Sequence, residues 1–503
     1  MELELTYNEI AYKKRILCRK FTKEETFEVN LSETQPDAVR TVCATALPYM
    51  RSKDSENGRM TVTGACDISV VYAADSVPEL SVITMSRDFS ASAETGELDS
   101  ESLLTADISV AACEPRLINS RKLLIKLELV FSMTAYADAA VKLPTDISDK
   151  DGIETLKASN RLRLPCSVNE KVFTITDSHS FAGIGKIIGS TLSFCADEIK
   201  KVGAKAVVRG SAKTRLVYIT NSGSVAAQTV ESPFSQVVDL DSDEEYCDQT
   251  ALVTPTGAFV AHDSGGEDGD EVTLELHGVI QCVSYKELEV ETVIDAFSPD
   301  GEVVFDRGEL CFECFRGTER STADLGVEFK TPVDVKSIDA VMSYPGLPSV
   351  SSSEGCCMLS APASVITVYS SQTDEVFGTL RNAEGKDKLS LNQNSYEYFS
   401  SYAEAEHAEF NRTEEGVAVR LSIKTLLEKY DKAVIPIICS AELNEYELKP
   451  ETPSLIAYRI REGDSLWGIA KKYRCSQESI LMANEFADES ELKTGKLLLI
   501  MKK

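Results

Sequence analysis

The 503-residue chain has a single tryptophan, four histidines and no run of apolar residues near the ~18 needed to cross a bilayer as a helix. None of His179, His262, His277 and His407 has a neighbour at metal-ligand spacing, so neither a zinc site nor an imidazole-activated nucleophile is expected. Cations are also scarce. Lys and Arg number 52 against 81 Asp and Glu, a net charge of −29 spread along the chain. Phosphate backbones need clustered cations, so no nucleic-acid partner is expected, and an anionic membrane surface is disfavoured for the same reason.

Cofactor motifs are missing as well. Gly183-Ile-Gly185-Lys186-Ile-Ile-Gly189 has neither the Walker spacing nor that of a dinucleotide-binding turn. Cys311-Phe-Glu-Cys314 is a lone pair with no second C-x-x-C, and on a strand its two thiols face opposite ways. Glu267-Asp268-Gly269-Asp270 lacks the ligand order of an EF-hand and reads as a solvated loop. Carboxylates are so abundant that chance pairs carry no catalytic meaning. No cofactor is expected, and the chain reads as a non-enzymatic scaffold or adaptor.

The first residues, Met1-Glu2-Leu3-Glu4-Leu5, contain no basic segment and no signal-length apolar stretch, so the expectation is retention in a cytoplasm. The 14 cysteines are scattered through a long chain, a usage that suits buried small hydrophobes in a reducing compartment. Cys356-Cys357 is the first place to look for cross-linking in a durable assembly.

What the chain does contain is a repeat. With 43% hydrophobic residues it can bury cores, and its length predicts three to four units. Three segments end in Val-Tyr: Val62 to Tyr72 with Gly64, Val208 to Tyr218 with Gly210, and Leu359 to Tyr369 with Ala361. Each is followed about 50 residues later by an alternating apolar strand. These are Leu123, Ile125, Leu127, Leu129 and Phe131; then Val272, Leu274 and Leu276; then Val417, Val419, Leu421 and Ile423. Phe89-Ser90 and Phe234-Ser235 mark the first two copies only. Gly64 and Gly210 read as a bulge or close backbone approach within a strand.

Period-two patterning with few long amphipathic helices predicts a mainly β fold of tandem antiparallel sandwich-like modules. The expected boundaries are 1–150, 160–300 and a degenerate 320–447. A linker at 448–456 follows, where Pro450 and Pro453 interrupt pairing, and then a final module at 457–503.

That last module predicts its own order. Ile460 lies on a short strand, Gly463 turns, and Asp464 or Ser465 caps a helix whose Leu466, Ile469, Ala470 and Tyr473 share one face. Ser476 caps a second helix carrying Ile480 and Leu481, and Leu497 to Ile500 closes a βααβ unit. The stretch from Tyr458 to Asn484 resembles a LysM domain. It departs from the family pattern at Arg474, where glycine is common, and at Thr494, where proline is expected.

The LysM resemblance implies a shallow glycan groove formed by Gly463, Asp464, Ser465 and Leu466 with Asn484, Glu485, Phe486 and Ala487. Gly463 and Leu466 are equally required by the turn and the core. Trp467, on the helix surface, is expected to anchor an interface or to pack on the sheet.

The Gly-to-Val-Tyr strands, the Phe-Ser pairs and Asn119 to Leu129 resemble SPOCS modules of sporulation proteins. Together with a terminal LysM domain they resemble the SipL-like family of spore-coat morphogenesis proteins. That resemblance implies a place in the mother cell at the forespore surface. It also implies the coat's basal-layer ATPase, SpoIVA, and other coat proteins as partners, with the LysM domain docking to the ATPase. The alternative is binding of peptidoglycan or a chitin-type glycan of the cortex or cell wall.

Overall fold

The computed structural model describes all residues except 1, 76–78, 148–151, 242–246, 267–268, 354–355, 390–396, 407, 415, 446–454 and 502–503. The expected linker at 448–456 falls largely outside the described residues, as do His407 and the Glu267-Asp268 pair. Strands account for 80% and helices for 4%.

Three sets of strands follow one wiring. In the first, β1 (Glu2–Leu3) leads into β2 (Leu5–Asn30), and β3 (Ala38–Glu56), β4 (Arg59–Ala74) and β5 (Ser81–Glu94) form a three-stranded meander. Then β6 (Leu103–Asn119) and β7 (Lys122–Ile147) complete a second sheet in the order β2-β7-β6. The second set repeats this with β8 (Glu154–Phe181), the meander β9 (Ile184–Val202), β10 (Lys205–Thr220) and β11 (Val225–Asp239), then β12 (Cys247–Gly266) and β13 (Gly269–Phe297).

In the third, β14 (Gly301–Lys330) pairs with β21 (Gly416–Glu445). Here β15 (Val335–Pro345) and β16 (Ser349–Ser353) share one edge of β17 (Cys356–Ser371), with β18 (Val376–Lys388) on the other. The fifth strand is broken too, into β19 (Glu397–Ala405) and β20 (Glu409–Arg412), both on β21.

Within each set the meander packs on the longer sheet, and the alternating strands supply the contact face. Leu123, Ile125, Leu127, Leu129 and Phe131 are buried against the meander that carries Val62, Ile68, Val70 and Tyr72. Val272, Leu274 and Leu276 meet Val208 and Leu216. Val417, Val419, Leu421 and Ile423 meet Val365 and Tyr369. Side chains at every second position reach one face, so the polar residues between them stay toward solvent.

The glycines and the Phe-Ser marks prove to be one device. Gly64 lies directly across from Phe89, and Gly210 from Phe234. A Cβ at Gly64 would lie 2.5 Å from the Phe89 ring and overlap the Tyr49 carbonyl; at Gly210 it would lie 2.9 Å from the Phe234 ring and overlap that of Cys195. The ring covers the glycine and fills the space that its missing side chain leaves. The third set inverts the pair, with Ala361 opposite Gly385, so no phenylalanine is needed there.

Beyond the sandwiches the paired long strands continue as three two-stranded stems that gather together, each touching both others. Ile10 and Leu143 of the first, Leu162, Leu164 and Val290 of the second, and Phe312, Cys314 and Ile435 of the third form one core. Every stem carries a β-bulge beside a tyrosine: Tyr136, Tyr285 and Tyr430. The three rings pack in one cluster, with the hydroxyls of Tyr285 and Tyr430 2.7 Å apart.

Half of the twelve cysteines with described side chains are buried. These are Cys43, Cys66, Cys113, Cys282, Cys314 and Cys475, and burial pushes the thiols of Cys43 and Cys282 up to about 12. Cys357 is half-buried, and the Cys356 side chain is outside the described residues. No helix among the described residues is long and apolar enough to cross a membrane.

Candidate functional site

The C-terminal module consists of β22 (Leu455–Arg459), α1 (Leu466–Tyr473), α2 (Gln477–Asn484), a single 3-10 turn at Glu489–Glu491, and β23 (Leu497–Met501). β22 and β23 pair antiparallel from Leu455↔Met501 to Arg459↔Leu497. Its core is Tyr458, Ile460, Leu466, Ile469, Ala470, Cys475, Ile480, Leu498 and Ile500.

The loop from Arg461 to Ser465 is organised by short-range bonds. Gly463 takes φ +85°, which favours glycine. Asp464 accepts the Tyr458 hydroxyl and the Arg461 N–H, both at 2.7 Å, and these donors hold its carboxyl below the usual range. Ser465 caps α1 by accepting the Gly468 N–H at 3.1 Å. The first turn of α1 carries no acidic residue, and Glu489 fills that role from across the module by accepting the Leu466 N–H at 2.8 Å. Glu489 thereby ties the two groove-forming segments together. Its contact spans 23 residues and leaves no trace in local sequence pattern.

On the opposite side of the groove the residues divide by task. Asn484 spends its amide on structure: Nδ2 donates to the carbonyls of Ile480 and Leu499, and Oδ1 accepts the Leu499 N–H at 2.7 Å, locking β23 to α2. Glu485 ends α2 at φ +55° and is exposed. Phe486 is half-buried, with the Lys496 ammonium 4.0 Å from its ring centroid. Leu466 is buried in the core, whereas Gly463, Ser465 and Ala487 are exposed. Arg474 stands at φ +59° as the C-cap of α1, which is the physical reason glycine is common there.

Trp467 faces away from this groove and into the rest of the protein. Its ring meets Phe297 edge-on at 4.9 Å, and its Nε1 donates to Asp295 at 3.0 Å. Lys471, one turn on, donates to both oxygens of Asp295 at 2.7 and 2.8 Å. Glu154 accepts the Gln477 N–H and side-chain amide, each at 2.9 Å, capping α2 from the second set of strands. Phe297 and Asp295 end β13 and Glu154 begins β8, so the module docks on the open end of one stem. The sequence suggested for Trp467 either a partner-binding anchor or packing on the sheet; here the indole packs against another part of the same chain, and the sequence had no signal for Asp295, Phe297 or Glu154.

No group of three or more His, Cys, Asp or Glu among the described residues could hold a metal ion. Cys311 is exposed and Cys314 buried, so the lone C-x-x-C faces two ways. No curated protein and no solved structure matches the chain. The strand, the two capped helices and the closing strand coincide with the match of the LysM domain family at residues 458–500, a binding module rather than a catalytic one.

Proposed function

We propose that the chain is a non-catalytic scaffold that presents its LysM groove to a glycan of the peptidoglycan or chitin type. The supporting observation is the separation of faces within the module. The Trp467, Lys471 and Gln477 side is spent on docking, while Gly463, Ser465, Glu485 and Ala487 remain exposed at the groove. A neutral sugar chain laid across shallow backbone-lined loops needs such access and little side-chain chemistry.

The test is titration of the intact protein with N-acetylglucosamine oligomers, together with sedimentation on purified sacculi. Binding that is lost on Gly463→Val, in a variant whose thermal unfolding still shows a folded protein, supports the reading. Failure of the unaltered protein to bind either ligand defeats it.

A second reading is a coat-assembly adaptor in the mother cell at the forespore surface, docking to SpoIVA and other coat proteins. It rests on the resemblance of the repeated β units and on how much of the chain lies outside the LysM module. A partner that used Trp467 would first have to lift the module off Phe297 and Asp295. Pull-down of the coat ATPase by the intact chain, abolished by removing residues 455–503, favours this reading over the glycan one.

A further inference from the structure

A cavity of about 570 Å³ lies where the three sets of strands meet, away from the LysM module. Strands β3 and β6 of the first set, β9 to β12 of the second, and β15 and β19 of the third contribute to its wall. The volume is that of a small-molecule site. Part of the wall is apolar, including Pro48, Ala227 and Pro345, and Phe410 lies 45% exposed at the rim.

One residue in it breaks the repeat. In the register that aligns Tyr72, Tyr218 and Tyr369, Arg215 stands where the other copies place Ser69 and Ile366, both buried. Its single hydrogen bond among the described residues runs from Nε to the Thr229 hydroxyl at 3.1 Å. Burial lowers the pKa of the guanidinium, with Tyr344 and Glu404 acting against that shift. A half-buried arginine with most of its donors unspent costs folding free energy and needs a compensating role.

The carboxylates of the cavity do not supply that compensation. Glu404 is paired with Lys213 at 2.9 Å, and Glu406 with Lys424. Asp339 accepts the hydroxyls of Ser337 and Ser370, and Asp107 that of Thr254 at 3.0 Å. Glu231 sits on the exposed rim. Among the described residues Arg215 is thus the cavity's cation without a carboxylate, and its planar fork fits a carboxylate through two parallel bonds.

We propose that this cavity binds a small organic acid, with the carboxylate on Arg215 and the apolar body against Ala227 and Phe410. Calorimetric titration of the intact protein with benzoate and with its neutral isostere benzamide tests the assignment. Benzoate is expected to bind about tenfold tighter than benzamide, a difference that Arg215→Gln removes and Arg215→Lys keeps in part. Equal affinity for the two probes, undetectable benzoate binding, or benzoate binding undiminished in Arg215→Gln would overturn it. Should Arg215→Gln not fold, modification of Arg215 by phenylglyoxal in the unaltered protein decides. Protection by benzoate supports the site, and an unchanged rate refutes it. Glycan binding by the LysM groove is independent of every one of these outcomes.

Discussion

Single residues show where the repeat is enforced by geometry. Gly64 and Gly210 are fixed by the covering ring and by a neighbouring carbonyl, neither of which can withdraw without opening the ladder. Gly64→Ala is expected to cost about 3 kcal/mol, the upper end of overpacking penalties, read as a lower midpoint in urea unfolding. Asp107 offers a second residue-level test. Burial pushes its carboxyl up to about 6, against the hydrogen bonds from Thr254 and the Ile108 N–H and the charge of Lys20. An unfolded aspartate titrates near ~3.9, so the folded state holds the proton more tightly, and stability falls as pH rises from about 4 to 6. Asp107→Asn should flatten that slope and raise the melting temperature at pH 7, as thermal unfolding across the pH range would show.

At the scale of elements, the helices of the LysM module serve two surfaces. Helix α1 starts in the groove at Ser465 and turns Trp467 and Lys471 toward Asp295, so the docking contact begins two residues from the exposed loop. Trp467→Ala removes the ring contact with Phe297 and the bond to Asp295, while every hydrogen bond of the Arg461 to Ser465 loop stays in place. Glycan affinity should stay within about twofold, since the substitution lies outside the groove, whereas NMR relaxation should show the module tumbling faster than the β units. A loss of affinity without a change in tumbling would place the indole in the groove after all. The helix order, its caps and its apolar face were legible in the sequence because they depend on neighbours three or four residues away. Asp295, Glu154 and Glu489 were not, because they act on the helices from 172, 323 and 23 residues distant.

At the scale of the whole molecule the three stems close on one another, and each lends side chains to cores that the others complete. A fragment ending at residue 147 would leave Ile10, Tyr12, Tyr136 and Leu143 without the partners they have in the full chain. It is expected to bind a hydrophobic dye or self-associate more strongly than the intact protein; dye fluorescence and sedimentation velocity of the two compare them. A monomeric fragment with a sharp unfolding transition would show that the sandwich alone suffices.

The sequence by itself determined the strands, their alternation, the repeat and the C-terminal βααβ module, since these follow from side-chain period and local capping. It marked Gly64, Phe89, Gly210 and Phe234 as signals without revealing that they pair. Tyr136, Tyr285 and Tyr430 went unread because nothing local distinguishes a tyrosine at a bulge from one elsewhere. Only the tertiary structure decided how the stems gather, where the LysM module docks and which arginine faces the cavity between the three sets of strands. Those outcomes rest on contacts between residues far apart in the chain, whose free energies depend on burial and approach distance rather than on pattern.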